Sequence, residues 1–444
     1  SPDAVTSGKP LKMNTQKGDG MQDSGTSIAE FFTNLVATLN GYVWSSALIY
    51  LCLGAGLFYS IMTRFVQVRL FREMIRLLFS SKESDKGISS FQALAVSLSG
   101  RVGTGNIAGV AAAIGFGGPG AVFWMWVVAF LGSATAYIES ALGQIYKEVD
   151  EGQYRGGPAY YIEKAMGQKW YAWIFAIVTI FACGVLLPGV QSNSIGNATN
   201  LAFGGEAMID FLGDPVPMTK LVTAIGVLAI LGFIIFGGVK RIAHVTQVIV
   251  PLMALGYILM AVGIIIYHIA ELPAILVLIV SDAFTPMAGV GAAIGWGVKR
   301  GMYSNEAGQG SGPHAASASE VEHPAQQGLV QSFSVYVDTL FVCSATAFMI
   351  LITQQYYVTG LDGPVSGGLL GPDVVIASPA FTQLALESVM GGFGKVFVAI
   401  ALFFFAFTTL LAYYYIAETN VAYIRRTIHI PHMLKILKIV TLAS

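Results

Sequence analysis

Long apolar windows that carry almost no charge constrain this 444-residue chain more than any other feature of its sequence. The windows from Trp44 to Phe65 and from Leu221 to Phe236 are nearly free of charged residues before their ends, and each is about long enough to cross the roughly 30 Å of hydrocarbon in a bilayer. Hydrophobic residues make up 55% of the chain and charged residues only 11%, whereas soluble proteins carry about 25% charged residues. The sequence therefore predicts an all-α integral membrane protein.

Charge and cysteine usage exclude two other classes of protein. The formal net charge of −1 provides no polycationic surface, so no nucleic-acid partner is expected. The three cysteines lie inside apolar spans without pairing or zinc-type spacing, and they are expected to be small packing residues: Cys52, Cys183 and Cys343.

Nine candidate membrane spans follow from the hydropathy of the chain. They cover residues 43–66, 89–116, 120–147, 170–200, 219–237, 243–269, 286–312, 328–353 and 393–424. Residues 1–40 are polar and are expected to form a flexible segment outside the membrane, part of it an addition to the natural sequence. Arginines at helical spacing between Val68 and Phe79 predict a basic interfacial helix within a cytoplasmic segment, 67–87.

The distribution of Lys and Arg predicts the orientation of the spans. These residues concentrate between spans one and two, three and four, five and six, and after span nine, whereas the 201–218 and 354–392 loops contain none. Because cytoplasmic loops carry the excess of positive charge, the N-terminus is predicted to lie outside the cell and the odd-numbered spans to run inward.

Two spans are rich in glycine at their centres. Span two contains Gly103-x-Gly105-x-x-x-Gly109, and span seven contains Gly295-x-Gly297-x-x-x-Gly301. Glycine this dense disfavours an uninterrupted helix, and a break at membrane depth frees backbone groups that can bind a carboxylate or a cation. Small residues also serve close helix packing, which is the alternative for either span alone. Two matched breaks in antiparallel spans predict an inverted-topology repeat.

Several segments together resemble the alanine/glycine:cation symporter family, over about residues 42–424. They are Arg101 to Ala112 (RVGTGNIAGVAA), Gly117 to Trp126 (GGPGAVFWMW), Gly156 to Tyr160 (GGPAY), Val190 to Ser194 (VQSNS) and Trp296 to Ser311 (WGVKRGMYSNEAGQGS). The resemblance implies a leucine-transporter-like fold: a peripheral helix at 41–66, a first five-helix repeat at 88–270 and an inverted second repeat at 271–444. The second repeat is expected to be incomplete after its third span.

The resemblance also implies a site for a small neutral amino acid, alanine or glycine. Thr104 and Gly105 would offer backbone N–H groups and a hydroxyl to the substrate carboxylate, and Gln191 would reach the same cavity. Ile294, Gly295 and Trp296 would close over the side chain at the second break. An ordinary packing role for Trp296 and a helix-joining role for Gln191 are the alternatives.

The coupling cation is expected to be sodium, with a proton as the alternative. Thr408 and Thr409 would supply hydroxyl oxygens to sodium, together with oxygens of Ser99 and Val102, although a membrane-embedded Thr can also simply bond back to its own helix. Asn106, Asp338 and Arg101 are further candidates for coupling, because an intramembrane charge is a functional hypothesis by default. A structural Arg101–Asp338 pair is the alternative.

The expected function is sodium-coupled symport of alanine or glycine across a bacterial inner membrane by alternating access. An enzyme is not expected, since the six histidines form no metal motif and the spans contain no Gly-x-Ser-x-Gly sequence. A receptor or a channel is the remaining alternative, although a pore favours repeated subunits over two antiparallel breaks in one chain.

Overall fold

A computed structural model describes residues 24–80, 84–205, 207–211, 213–285, 290–359, 368–371, 373–374, 376, 378–428 and 432–444. The chain divides into two units, residues 1–48 and 49–444. A helix, α1, occupies Ser24–Val43, in the segment for which the sequence predicts no regular structure. Apolar residues recur there at helical spacing, at Ile28, Leu35 and Leu39, which accounts for the helix. Residues 1–23 lie outside the described part of the chain.

The first half of the chain is almost entirely helical. Its elements are α2 (Ser46–Met62), α3 (Val66–Arg69), α4 (Phe71–Leu77), α5 (Ser90–Arg101), a 3-10 turn (Thr104–Asn106), α6 (Ala108–Gly117), α7 (Ala121–Ile145), β1 (Glu148–Asp150), β2 (Gln153–Arg155), α8 (Pro158–Met166), α9 (Lys169–Phe181), a π-helical segment (Ala182–Leu186), α10 (Leu187–Phe203), β3 (Met208–Phe211), β4 (Asp214–Pro217), α11 (Met218–Ile235) and α12 (Gly238–Tyr267). The strands form two antiparallel hairpins, β1–β2 and β3–β4, in loops where the sequence predicts none.

The second half continues the helical pattern. Its elements are α13 (Leu272–Asp282), α14 (Val290–Asn305), α15 (Gly312–Ala318), α16 (Pro324–Val335), a second π-helical segment (Tyr336–Cys343), α17 (Ser344–Ile352), α18 (Ala380–Met390), α19 (Gly392–Arg425) and α20 (Met433–Ala443). The sequence also predicts short helices that do not span the membrane, near Pro158 to Met166 and Leu272 to Ile279, and α8 and α13 confirm them. It further predicts a Gly/Pro-rich loop from Gly360 to Pro372, most of which lies outside the described residues.

Seven helices in the described part of the chain are long and apolar enough to cross a membrane. They cover Thr33–Met62, Ala121–Ile145, Lys169–Phe203, Met218–Ile235, Gly238–Tyr267, Pro324–Ile352 and Gly392–Arg425, and they correspond to seven of the nine predicted spans. In the most apolar part of the α16–α17 and α19 spans, 78% and 72% of the residues are buried inside the protein. In the α9–α10 and α11 spans the buried share is 22%. The first two therefore form the centre of the bundle, and the others present apolar surface suited to lipid.

The two remaining predicted spans are built from pairs of short helices. Span two divides into α5 and α6, with the interruption at residues 102–107, as its glycines predict. The N-terminus of α5 is fixed by a capping box, in which Ser89 and Gln92 bond to each other's backbone N–H groups.

The predicted break at Gly295–Gly297 in span seven is wrong, because α14 runs without interruption from Val290 to Asn305. Its glycines serve close packing instead. A Cβ at Gly297 would overlap the carbonyl oxygen of Ala121 on α7, and one at Gly301 would lie 2.5 Å from Cγ1 of Val128. The interruption falls about ten residues later, between α14 and α15.

Candidate functional site

The first helix break lies between α5 and α6 and is surrounded by α10 and α19. The backbone N–H of Gly103 donates to Oδ1 of Asn106 at 2.8 Å, and that of Thr104 donates to Oε1 of Gln191 on α10 at 3.2 Å. A Cβ at Gly103 would lie 2.5 Å from Oγ1 of Thr409 and 3.2 Å from Oε1 of Gln191. The first break therefore requires glycine at position 103, where the chain contacts Gln191 on α10 and Thr409 on α19.

The second helix break occupies residues 306–311, between α14 and α15. Glu306, Gly308 and Gly310 have positive φ angles of 53°, 84° and 85°, a backbone conformation that glycine adopts without strain and other residues rarely do. Two glycines at alternate positions thus permit the tight turn that ends α14.

The two breaks approach each other at Gly105. A Cβ at this position would lie 3.2 Å from Cα of Ser304 and 3.3 Å from the ring of Tyr303, both near the end of α14. The first break therefore packs against the last turn of α14, and a side chain at Gly105 would crowd that turn.

A buried aspartate connects the first break to the end of α14. Oδ1 of Asp338 accepts hydrogen bonds from Nδ2 of Asn106 at 2.7 Å and from Oγ of Ser304 at 3.1 Å. Its Oδ2 accepts from Thr339 at 2.7 Å, and Thr339 in turn accepts from Asn305 at 3.2 Å. Asp338 lies in the π-helical segment, a geometry often found at functional sites.

The alternative of an Arg101–Asp338 ion pair is wrong. The Nη1 atom of Arg101 donates to the carbonyl oxygen of Gln331 at 3.1 Å and to the hydroxyl of Ser334. Asp338 takes its hydrogen bonds from Asn106, Ser304 and Thr339 instead.

Of the four candidate sodium ligands, the described contacts bring two together. Oγ1 of Thr409 donates to the carbonyl oxygen of Phe405 at 2.9 Å and lies 3.4 Å from the carbonyl oxygen of Val102. The hydroxyl of Thr408 bonds back to Phe404 and Phe405 at 3.0 and 3.1 Å and lies 3.9 Å from the sulfur of Met253.

The remaining candidate, Ser99, bonds to its own helix. Its hydroxyl donates to the carbonyl oxygen of Val96 at 2.7 Å. Ser99 and Thr408 thus bond within their own helices, whereas the hydroxyl of Thr409 reaches the carbonyl oxygen of Val102.

Three residues expected over the substrate side chain lie away from the second break. The indole of Trp296 stacks on Phe116 with ring centroids 4.6 Å apart. Ile294 packs against a cluster that contains Ile49 and Val298, and a Cβ at Gly295 would meet only Ile49, at 3.9 Å. Their role in substrate binding stays a prediction.

Sequence reasoning places Glu139 and Glu306 toward the cytoplasmic ends of their spans but assigns neither a role, and the structure shows both at the second break. Both carboxylate oxygens of Glu139 on α7 accept backbone hydrogen bonds from this break, and Oε1 of Glu306 accepts one from the hydroxyl of Tyr413 at 3.1 Å. The available signal was the sequence Asn305-Glu-Ala-Gly-Gln-Gly310, in which two glycines stand among polar residues inside a predicted membrane span.

A cavity of about 360 Å³ lies beside the second break, between it and the α9–α10 span. Its polar lining includes Glu306, Gln309 and His314, and its apolar lining includes Phe175 and Val178. The second break is therefore the wall of a cavity, as expected for irregular backbone at membrane depth.

A bundle of apolar helices, two of them interrupted around buried polar groups, defines the class of multi-pass membrane transporters. The match to a family model gives the particular family, since the sodium:alanine symporter family model covers residues 29–444. The chain belongs to this family, whose members are transporters and not enzymes.

Individual relatives agree with this assignment. The chain is 58% identical over 398 residues to the putative sodium/proton-dependent alanine carrier protein YrbD of Bacillus subtilis, covering 88% of this chain and 79% of the relative. It is 48% identical to the sodium/proton-dependent alanine carrier protein of Bacillus sp. PS3, with 80% and 77% covered. It is 37% identical to the sodium/alanine symporter AgcS of Methanococcus maripaludis, with 88% and 84% covered.

Proposed function

We propose that this protein imports alanine, and glycine as a second substrate, across a bacterial inner membrane together with sodium. Two interrupted helices that meet at Gly105 and Ser304 carry the proposal, because such breaks supply unpaired backbone groups at membrane depth. We place the breaks in two leucine-transporter-like inverted repeats, 88–270 and 271–444, with the N-terminus outside.

The substrate carboxylate is proposed to bind at the first break. There the N–H of Thr104 donates to Gln191, so an amide side chain occupies a position that an incoming carboxylate could take. The tight approach of Gly105 to α14 leaves little space beyond the carboxylate. A small neutral amino acid fits this restriction better than a bulky one, in agreement with the names of the relatives.

Sodium is proposed to bind between α5 and α19, next to the first break. Thr409 and the carbonyl of Val102 present oxygens 3.4 Å apart, and oxygen atoms are the ligands that a hard cation prefers. Sodium binding would fix the end of α5 and thereby shape the site for the substrate.

A proton is the second candidate for the coupling ion, and Asp338 favours it. This carboxylate is fully buried and bonded to both broken helices, so a change in its charge would act on both. Two relatives are named sodium/proton-dependent carriers.

Alanine uptake into liposomes, with sodium and pH gradients imposed separately, tests the proposal. We expect uptake to follow the sodium gradient at constant pH, and uptake driven only by the pH gradient would make the proton the coupling ion. Exchange of labelled for unlabelled alanine should occur without any gradient, since a carrier supports counterflow. Absence of both uptake and exchange would refute amino-acid transport by this chain.

A further inference from the structure

Glu139 on α7 holds the second break through both of its carboxylate oxygens. Oε1 accepts the N–H of Gly308 at 3.1 Å, and Oε2 accepts the N–H of Gly310 at 3.1 Å. Glu139 is only 7% exposed, so these hydrogen bonds form in a setting of low dielectric constant, where a charged acceptor is strong. The carboxylate thus occupies two N–H groups that the break would otherwise offer to a ligand.

Arg101 lies next to this carboxylate. The position that a Cβ of Gly312 would take is 2.8 Å from Nη2 of Arg101 and 3.7 Å from Oε1 of Glu139, which places both groups against the start of α15. Arg101 is 2% exposed and is the last residue of α5, directly before the first break. The absence of a side chain at Gly312 leaves the space in which the guanidinium approaches the second break.

The guanidinium has no hydrogen-bond partner on this side. Its Nε and Nη2 atoms are buried and unbonded within the described part of the chain, as is the nearby hydroxyl of Ser140. Its attraction to this region therefore comes from the charges of Glu139 and Glu306, since Nη1 is already bonded to Gln331 and Ser334.

We propose that Glu139 and Arg101 form a positioning pair that sets the shape of the second break and ties it to the end of α5. Because Glu139 already occupies the N–H groups of Gly308 and Gly310, a substrate carboxylate is directed to the first break. Arg101 transmits the position of α5 to the second break through its charge. The expected effect of this pair on alanine affinity rests on the proposed function. Its expected effect on the shape of the second break does not.

Hydrogen–deuterium exchange of the detergent-solubilised protein tests the structural part. In Glu139→Gln the replacement has one acceptor oxygen instead of two, so we expect the amides of Gly308 and Gly310 to exchange about tenfold faster or more. Asp282→Asn is the matched control, since Asp282 also accepts a backbone N–H, that of Gly120 at 2.7 Å. It should leave exchange at 306–311 unchanged.

Glu139→Asp covers the case in which the glutamine variant does not fold. It keeps the charge but is one methylene shorter and cannot span both N–H groups, so it should give the same local increase in exchange. Unchanged exchange at 306–311 in either variant that folds would overturn the proposal.

Alanine affinity tests the link to Arg101. Gly312→Ala displaces the guanidinium without altering any charge, and we expect alanine binding to weaken about tenfold. Gly263→Ala is the control, because a Cβ there meets nothing within 4 Å. In a double-variant cycle, Arg101→Gln with Glu139→Gln should weaken binding no more than the worse single variant; additive losses would show that the two residues act independently.

Failure of the proposed function and failure of the proposed positioning pair give different experimental results. A parent protein that neither binds nor transports alanine refutes the proposed function, and the exchange measurements still decide whether Glu139 holds the second break.

Discussion

Nδ2 of Asn106 donates a 2.7 Å hydrogen bond to Oδ1 of Asp338, joining the first helix break to the π-helical segment between α16 and α17. The same oxygen accepts from Ser304 at the end of α14. One buried carboxylate oxygen therefore holds elements from both halves of the site.

Asp338→Asn should weaken alanine binding about tenfold and lower the thermal unfolding midpoint. The amide would present N–H groups to at least one of the three donors that now face the carboxylate, and an unsatisfied buried polar group costs about 1–3 kcal/mol. Glu322→Gln, at an exposed position, is the control and should change neither. Parent-like affinity and stability in Asp338→Asn would show that this carboxylate is dispensable.

Thr409→Val should raise the sodium concentration needed for half-maximal alanine uptake about tenfold. Valine preserves the volume but removes the hydroxyl that lies 3.4 Å from the Val102 carbonyl. Thr408→Val is the matched control one position earlier, where the hydroxyl bonds back to its own helix, and should have a small effect. Equal sodium dependence in the two variants and the parent would place the cation elsewhere, with Asn106 and Asp338 the next candidates.

Gly105→Ala should reduce alanine affinity, and Gly105→Leu should abolish binding, while both variants insert normally. The added Cβ would press on Ser304 and Tyr303 at 3.2 and 3.3 Å, where the substrate carboxylate is proposed to bind. Gly109→Ala is the control in the same span, since a Cβ there has its nearest neighbour at 4.0 Å. Binding isotherms for both alanine variants measure the difference, and equal affinities would make the first break structural only.

Trp296→Ala distinguishes packing from substrate selection. Loss of the ring stacked on Phe116 should destabilise the protein by about 3–5 kcal/mol, and Trp296→Phe should recover much of that stability. If Trp296 also limits the size of the substrate, Trp296→Ala should admit bulkier neutral amino acids in competition assays. Unchanged selectivity would remove Trp296 from the site.

Glu418→Gln should destabilise the protein by about 1–3 kcal/mol, because it removes the more deeply buried of the two carboxylates that face the buried guanidinium of Arg155. Arg155 bonds to Glu418 at 3.0 Å and lies 3.3 Å from Asp150, with its side chain 6% exposed. Glu73→Gln removes the exposed pair with Arg76 and should cost little. Similar unfolding midpoints for the two variants would contradict the importance of burial here.

The apolar spans could be predicted from sequence because each is a long local pattern. Seven of them appear as long helices, and the first break follows from its glycines. The second break could not be placed, since glycine serves both interrupted backbone and close packing. Only the approach of Gly297 to Ala121 shows which role applies there, and that contact joins residues far apart in the chain.

The site was predictable in part for a related reason. Gln191 and Thr409 contact the first break, at Thr104 and Val102, and their roles in binding stay predictions of the resemblance. The role of Glu139 could not be assigned from the sequence, because nothing near it shows that its carboxylate faces Gly308 and Gly310. Likewise, the sequence does not show that the guanidinium of Arg101 bonds to Gln331 and Ser334 instead of Asp338.

The backbone-to-backbone contact of α14 with α7 has a mechanical consequence. The backbone of α14 at Gly297 faces the backbone of Ala121, and at Gly301 it faces the side chain of Val128, with no space for a further side chain at either position. We therefore expect the two helices to move together as one rigid body in a conformational change. The helix α15 is joined to α7 as well, because Gln144 on α7 donates to the carbonyl oxygens of Ala316 and Ser319. We therefore expect α14 and α15 to move with α7, with Glu139 holding the turn at 306–311 between them.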